Sequence, residues 1–155
     1  MKAVPALADI VLTAANKDAL VADCVKLTEN RIAGRGGVRG AAVKTGVAVL
    51  KKARPDILQR AVQVLLPDFV GALDPLYQDF SVRPDPDDFG RFLERRSDAA
   101  VGALLGVTDA RVARMQTKAV RSVYKRLRGG AEHEVGAALP EFGALLANYL
   151  PRPAG

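Results

Sequence analysis

Apolar residues in this chain recur at the three-to-four spacing of a helix, and the alternation of a half-buried strand is hard to find. That periodicity points to an all-α protein. Leu20, Val21, Cys24, Val25, Leu27 and Ile32 share one broad face behind Asn16, which reads as an N-cap, and the helix ends at Gly34. The segment Gly34 Arg35 Gly36 Gly37 is too rich in glycine to stay helical. Small residues from Gly40 to Ala48 open another helix, which ends before Pro55 and is followed by one that Pro55 starts. Leu66 Pro67 is expected to break that helix, leaving a short one from Asp68 to about Asp79 with Pro75 at its kink or end. Later punctuation predicts a helix from about Pro86, a capped start at Thr108 Asp109, a stop at Gly129 Gly130, a break at Leu139 Pro140, and a frayed tail from Pro151 to Pro153.

With only 5% aromatic residues and no tryptophan, Ala, Val and Leu must fill the interior. The 155 residues suit one domain, 1–155, with enough chain to bury a substantial core.

The two sides of residues 81–85 echo one another. Asp18 Ala19 Leu20 Val21 Ala22 and Thr28 Glu29 Asn30 Arg31 Ile32 match Asp98 Ala99 Ala100 Val101 Gly102 and Thr108 Asp109 Ala110 Arg111 Val112 without a gap. Lys44, Val49, Lys51, Lys52 and Arg54 align with Lys118, Val123, Lys125, Arg126 and Arg128, and Leu66 Pro67 Asp68 Phe69 with Leu139 Pro140 Glu141 Phe142. The expected architecture is therefore a single helical bundle of two similar multi-helix halves, about 5–80 and 86–150, related by a pseudo-twofold axis. Function could sit along that axis.

Composition excludes several chemistries. One cysteine and one histidine rule out an internal disulfide, a cysteine-rich zinc site and a multi-histidine metal centre. Asp85, Asp87 and Asp88 lack the further ligands of an EF-hand and read as turn and cap acids. Glu132 His133 Glu134 are consecutive and do not face one another on a helix. The glycines between Gly34 and Gly46 lack a Walker spacing and a preceding strand, so Gly40 and Gly46 read as sites of close helix packing. No nucleophile stands with a recognisable base, and Cys24 reads as a small buried hydrophobe. The expectation is a non-enzyme without metal or cofactor. No run approaches the roughly 18 apolar residues of a membrane span, and Asp9 interrupts the apolar N-terminal stretch that a secretion signal needs, so the expected location is cytoplasmic.

Net charge is +6 and the sequence pI about 9.8, which favours anionic partners. Arg111, Arg114, Lys118, Arg121, Lys125 and Arg128 would share one stripe if residues 109–128 formed a single helix. Residues 98–117, with Gly106 as the turn, resemble the helix-turn-helix of sigma-type and related bacterial regulators. The repeat argues against this, because it sets Lys26 opposite Gly106 and sets Met115 Gln116 Thr117 opposite the glycine loop, predicting a break there. The expected function is a helical interaction or scaffold module, self-associating or bound to another protein; the alternative is a nucleic-acid or polyanion binder using those six residues joined by Lys44, Lys51, Lys52 and Arg54, and a third reading is a carrier of a small apolar ligand held between the halves.

Gly36 Gly37, Gly40 Ala41 Ala42 Val43 Lys44, Lys51 Lys52 with Pro55, Leu66 Pro67 Asp68 Phe69 with Leu73 Asp74 Pro75, Val107 Thr108 Asp109 Ala110 Arg111, and Ala138 Leu139 Pro140 together resemble a small bacterial family of uncharacterised proteins. The likeness spans most of the chain. It implies an α-helical, cytoplasmic, non-enzymatic protein and assigns no site residues.

Overall fold

The computed structural model describes residues 5–34, 36–82 and 88–150, apart from the side chains of Val38 and Arg39. Seven α-helices account for nearly all of them: α1 Leu7–Val11, α2 Lys17–Ala33, α3 Gly37–Ala53, α4 Ile57–Val82, α5 Phe89–Arg95, α6 Ser97–Arg114 and α7 Lys118–Ala147. There is no strand among the described residues, as the periodicity predicts. No described helix is long and apolar enough to cross a membrane.

The longest helices, α4 and α7, form the frame. Leu66, Val70, Leu73 and Tyr77 place a buried stripe on α4 at helical spacing, and Leu139, Gly143 and Leu146 do the same on α7. Helix α1 packs on α4 and α5 on α7, while α2 and α6 each touch both frame helices. Leu7, Leu20, Leu93 and Leu104 join the stripes in one hydrophobic cluster, which draws on every helix except α3. Tyr77 and Phe80 meet Phe89 and Phe92 with centroids 5.3–5.6 Å apart, joining the end of α4 to α5.

Several expected breaks do not occur. Helix α4 runs through Pro67 and Pro75, and α7 through Gly129, Gly130 and Pro140. Each proline forfeits one backbone hydrogen bond, but the apolar stripe on either side continues in phase, so burying Leu66 and Val70, or Leu139 and Gly143, holds the helix together. Thr108 and Asp109 lie inside α6 and start no helix. Asn16 precedes α2 but is no side-chain cap: its amide donates to the Ile10 carbonyl at 3.1 Å, tying α2 to α1. Asp88 does cap α5, accepting from the Arg91 amide at 2.9 Å. Asp85, Asp87, most of the 81–85 connector and the proline tail lie outside the described residues, while Ser81 and Val82 finish α4.

Other boundaries fall where glycine and proline put them. Helix α2 stops at Gly34, Gly37 takes a positive φ of 75° at the start of α3, and α3 closes at Arg54 before Pro55. Helix α4 begins two residues after Pro55. Short α1, which the punctuation left unassigned, is held from α4: the Leu7 amide donates to Asp74 Oδ1 at 2.8 Å, and Gln78 donates to the Pro5 carbonyl at 3.1 Å.

Candidate functional site

Helices α4 and α7 turn matching faces toward a shared gap, Val62, Leu65, Leu66 and Phe69 from one and Val135, Ala138, Leu139 and Phe142 from the other. Cys24, Leu27 and Ile32 of α2 and Leu104 and Leu105 of α6 close its sides; Val43 of α3 reaches it from above. The result is a half-open cleft of about 400 Å³. An aliphatic cavity of about 150 Å³ stays dry and admits benzene, so this one has room for a considerably larger apolar body. It lies at the small end of the range of roughly 300–1,000 Å³ over which proteins hold small molecules.

Among the described residues only Thr28, Arg31, Thr108 and Glu134 bring polar groups to the wall. Thr28 donates to the Cys24 carbonyl of its own helix at 2.8 Å, while the Thr108 hydroxyl lies 3.0 Å from the Leu105 carbonyl and 2.9 Å from the Tyr124 hydroxyl of α7. Both hydroxyls are thus engaged within the protein, and the charges of the wall are those of Arg31 and Glu134. Cys24, 6% exposed, adds no reactive thiol: burial first, then the neighbouring Asp23 charge, pushes it up to about 12.

Two ion pairs cross between helices near this cleft. Arg31 Nη1 of α2 meets Glu141 Oε1 of α7 at 3.1 Å, and Arg111 of α6 meets Asp68 Oδ2 of α4 through Nη2 at 2.6 Å and Nε at 2.8 Å. Arg31 stands in the wall; Arg111, Asp68 and Glu141 do not.

The other cations are distributed as follows. Residues 109–128 form no single helix, because the chain is extended at Met115 and helix resumes at Lys118. Arg111 and Arg114 end α6, whereas Lys118, Arg121, Lys125 and Arg128 belong to α7. The break at Met115 Gln116 Thr117 is the one the internal comparison predicts. Gly106 lies within α6, so the turn that the helix-turn-helix resemblance requires is not there. Arg111 and Arg128 are committed to ion pairs, the latter reaching both oxygens of Asp109 at 2.8 and 3.0 Å. Tyr124 also donates to Asp109, and these two donors hold its carboxyl below the usual carboxylate range. Arg114, Lys118, Arg121 and Lys125 are exposed, as are Lys44, Lys51, Lys52 and Arg54 on and just after α3. Helix α3 meets α7 where Gly46 faces Val123 and Leu127, and helical spacing puts Lys44 and Lys51 on one side of that seam and Lys118, Arg121 and Lys125 on the other. The two basic stripes face away from each other.

Glu132 and His133 line a separate and more polar groove of about 750 Å³ with Asp109 and Arg128, while Glu134 lines the apolar cleft. Among the described residues no three His, Cys, Asp or Glu side chains are grouped to hold a metal. Sequence reasoning missed the cleft because its walls read as core. One signal was present: between Glu29 and Asp56 the sequence carries Arg31, Arg35, Arg39, Lys44, Lys51, Lys52 and Arg54 with no acid, a local excess of cations beside the Arg31 that lines the cleft.

A family model matches residues 7–150, from the first residue of α1 to a few residues beyond α7. The chain belongs to DUF6918, a family of unknown function. No curated protein and no solved structure matches it. For this DUF6918 member, the geometry of the cleft is therefore the direct guide to chemistry.

Proposed function

We propose that the protein binds a small apolar or amphipathic molecule in the cleft between α2, α4, α6 and α7, without transforming it. The observation that carries this reading is the cleft of about 400 Å³, whose lining is almost wholly apolar, unlike the more polar groove beside Asp109 and Arg128. A half-open cleft leaves the Leu, Val and Phe side chains of its wall facing water, and an apolar occupant would bury that surface. No nucleophile and orienting base meet there, and the buried thiol is protonated.

The cleft also falls between the two proposed halves. The order of a short helix, a long helix, an extended break and further long helix recurs as α1, α2, α3 with α4, and as α5, α6, α7. Wall residues pair by the alignment: Thr28 with Thr108, Leu66 with Leu139, and Phe69 with Phe142. The ion pairs correspond too, Arg31 to Glu141 and Arg111 to Asp68 exchanging partners between halves. These correspondences support a pseudo-twofold axis passing close to the ligand. A cytoplasmic site of action accords with the same reading.

Native mass spectrometry of protein purified from cells tests the proposal, followed by titration with anilinonaphthalene sulfonate. A retained apolar molecule, or saturable one-to-one dye binding that Ala138→Phe and Ala61→Phe weaken at least tenfold, supports it. Unaltered dye binding in both variants, with no retained molecule, overturns it.

A second reading, attraction to a polyanion, is supported by exposed Arg114, Lys118, Arg121 and Lys125 and by the absence of acids between Asp109 and Glu132. It requires no base reading. Affinity for DNA that falls steeply with salt, and is lost in Arg121→Glu with Lys125→Glu, supports it; salt-independent affinity unchanged by those substitutions overturns it. The scaffold function expected from the sequence has less support, because the exposed large apolar residues Val49, Val64, Val82 and Met115 are spread over α3, α4 and the α6–α7 link.

A further inference from the structure

We infer that the ligand is a single-chain carboxylate, whose hydrocarbon tail fills the cleft and whose head takes the place of the Glu141 carboxylate on Arg31. The inference rests on the reading of the cleft as a ligand site and specifies the chemical class. Among the described residues Arg31 is the one cation in the wall, and it already holds a carboxylate through a single contact at 3.1 Å. Glu141, at 54% side-chain exposure, is not itself in the wall, so it can turn to solvent and be hydrated when released. A ligand carboxylate substitutes like for like, and the guanidinium fork can engage both of its oxygens where it now engages one from Glu141.

The wall accounts for the rest of the molecule. The Thr28 hydroxyl is engaged by the Cys24 carbonyl and that of Thr108 by the Leu105 carbonyl and Tyr124, and the other wall residues away from Arg31 and Glu134 are apolar, which suits a methylene chain better than a sugar. A volume of about 400 Å³ suits one chain of moderate length. Glu134 also lines the cleft, seven residues before Glu141 on α7, which is about 10 Å along the helix by its rise per residue. A head in the place of the Glu141 carboxylate thus belongs to a position about two turns along α7 from that acid. The approach is electrostatically favoured, since the chain from Arg31 to Arg54 carries cations and no acid.

Titration of the purified full chain with laurate, dodecanol and dodecylammonium, three molecules of one chain length, tests this. The expected result is laurate binding at least tenfold tighter than dodecanol and dodecylammonium weakest. Glu141→Gln should tighten laurate several-fold by removing the internal competitor, Arg31→Met should bring laurate to the level of dodecanol, and Arg31→Lys should keep part of the difference. Arg111→Met, which breaks the corresponding pair away from the wall, should leave laurate binding unchanged. If Arg31→Met fails to fold, Arg31→Lys and Glu141→Gln carry the test. Equal affinity for laurate and dodecanol, tighter binding of dodecylammonium, or no response to Glu141→Gln would overturn the head-group assignment while leaving the cleft as an apolar site. Failure of all three to bind would overturn this inference together with the proposed function.

Discussion

Arg31 and Glu141 lie 110 positions apart in the chain and meet at 3.1 Å, and the residues aligned with them, Arg111 and Asp68, meet in the same crossed sense. One pair links α2 to α7 and the other links α6 to α4. Side-chain exposures between 32% and 54% keep both pairs in contact with water, which limits what either adds to stability.

Double-mutant cycles on the two pairs should return coupling energies of about 0.2–1 kcal/mol each. The Arg111–Asp68 value should be the larger, since two guanidinium nitrogens reach one oxygen there against a single contact at Arg31. Urea titration of the four single and two double alanine variants measures both values. Raising salt should shrink them.

Glycines divide into two kinds. A methyl group on Gly143 would fall on the Gly90 Cα, and one on Gly90 would sit 2.9 Å from the Ala144 nitrogen and 3.1 Å from the Pro140 carbonyl oxygen. Backbone does not yield as a side chain does, so α5 and α7 must move apart. Gly143→Ala and Gly90→Ala should each destabilise the fold by about 1–3 kcal/mol. Gly106 has nothing within 4 Å of the same position and lies inside a helix, so Gly106→Ala should stabilise by about 0.5–1 kcal/mol. Thermal melting of the three variants checks both signs, and a loss of stability in Gly106→Ala would count against helical backbone at that residue.

Cys24 should resist thiol reagents. The residue is 6% exposed and its thiol sits at about 12, so at neutral pH it is both inaccessible and protonated. Labelling should be slow in the native protein and prompt in denaturant. Ligand in the cleft, which Cys24 lines, should slow it further.

The pH dependence of stability has two limbs with assignable causes. Asp109 is held below its ordinary value by hydrogen bonds from Arg128 and Tyr124, so its contribution is present above about pH 4 and is lost as pH falls through its depressed pKa. Tyr149, which donates to Asp23 Oδ2 at 2.7 Å, is pushed up to about 12, chiefly by that bond. The folded state therefore keeps the phenol proton longer than the unfolded chain does. The stabilisation is complete below pH 10 and disappears as pH rises from about 10 to about 12. Melting temperatures recorded against pH should show Asp109→Asn flattening the acid limb and Tyr149→Phe flattening the alkaline one.

How far the sequence revealed this arrangement depends on whether a feature is local or tertiary. Gly34, the Arg54 Pro55 step and the Met115 Gln116 Thr117 break are local conformational signals, and each marks a helix boundary. Pro67, Pro75 and Pro140 are local signals that lose to packing, since the stripes formed by Leu66, Val70 and Leu73 and by Leu139, Gly143 and Leu146 run on past them. Thr108 and Asp109 resemble a cap in isolation, yet Asp109 is claimed by Tyr124 and Arg128 from the next helix. The correspondence of Arg31 with Arg111 and of Asp68 with Glu141 was visible, but which acid each arginine meets depends on how the helices cross. The cleft was hidden for a related reason: spacing shows that Leu27, Leu65 and Phe142 are apolar, and cannot tell a packed interior from a hollow one.

Helix α3 is held differently from its neighbours. Val43, Val47 and Leu50 are only partly covered, none of its described side chains is fully buried, and its seam with α7 is the shallow one at Gly46. Little apolar area is given up when it lifts, so its amides should exchange deuterium well ahead of those on α4. Hydrogen–deuterium exchange followed by mass spectrometry would show this directly. Loosening of this one segment widens the already open cleft at Val43 while the frame stays folded.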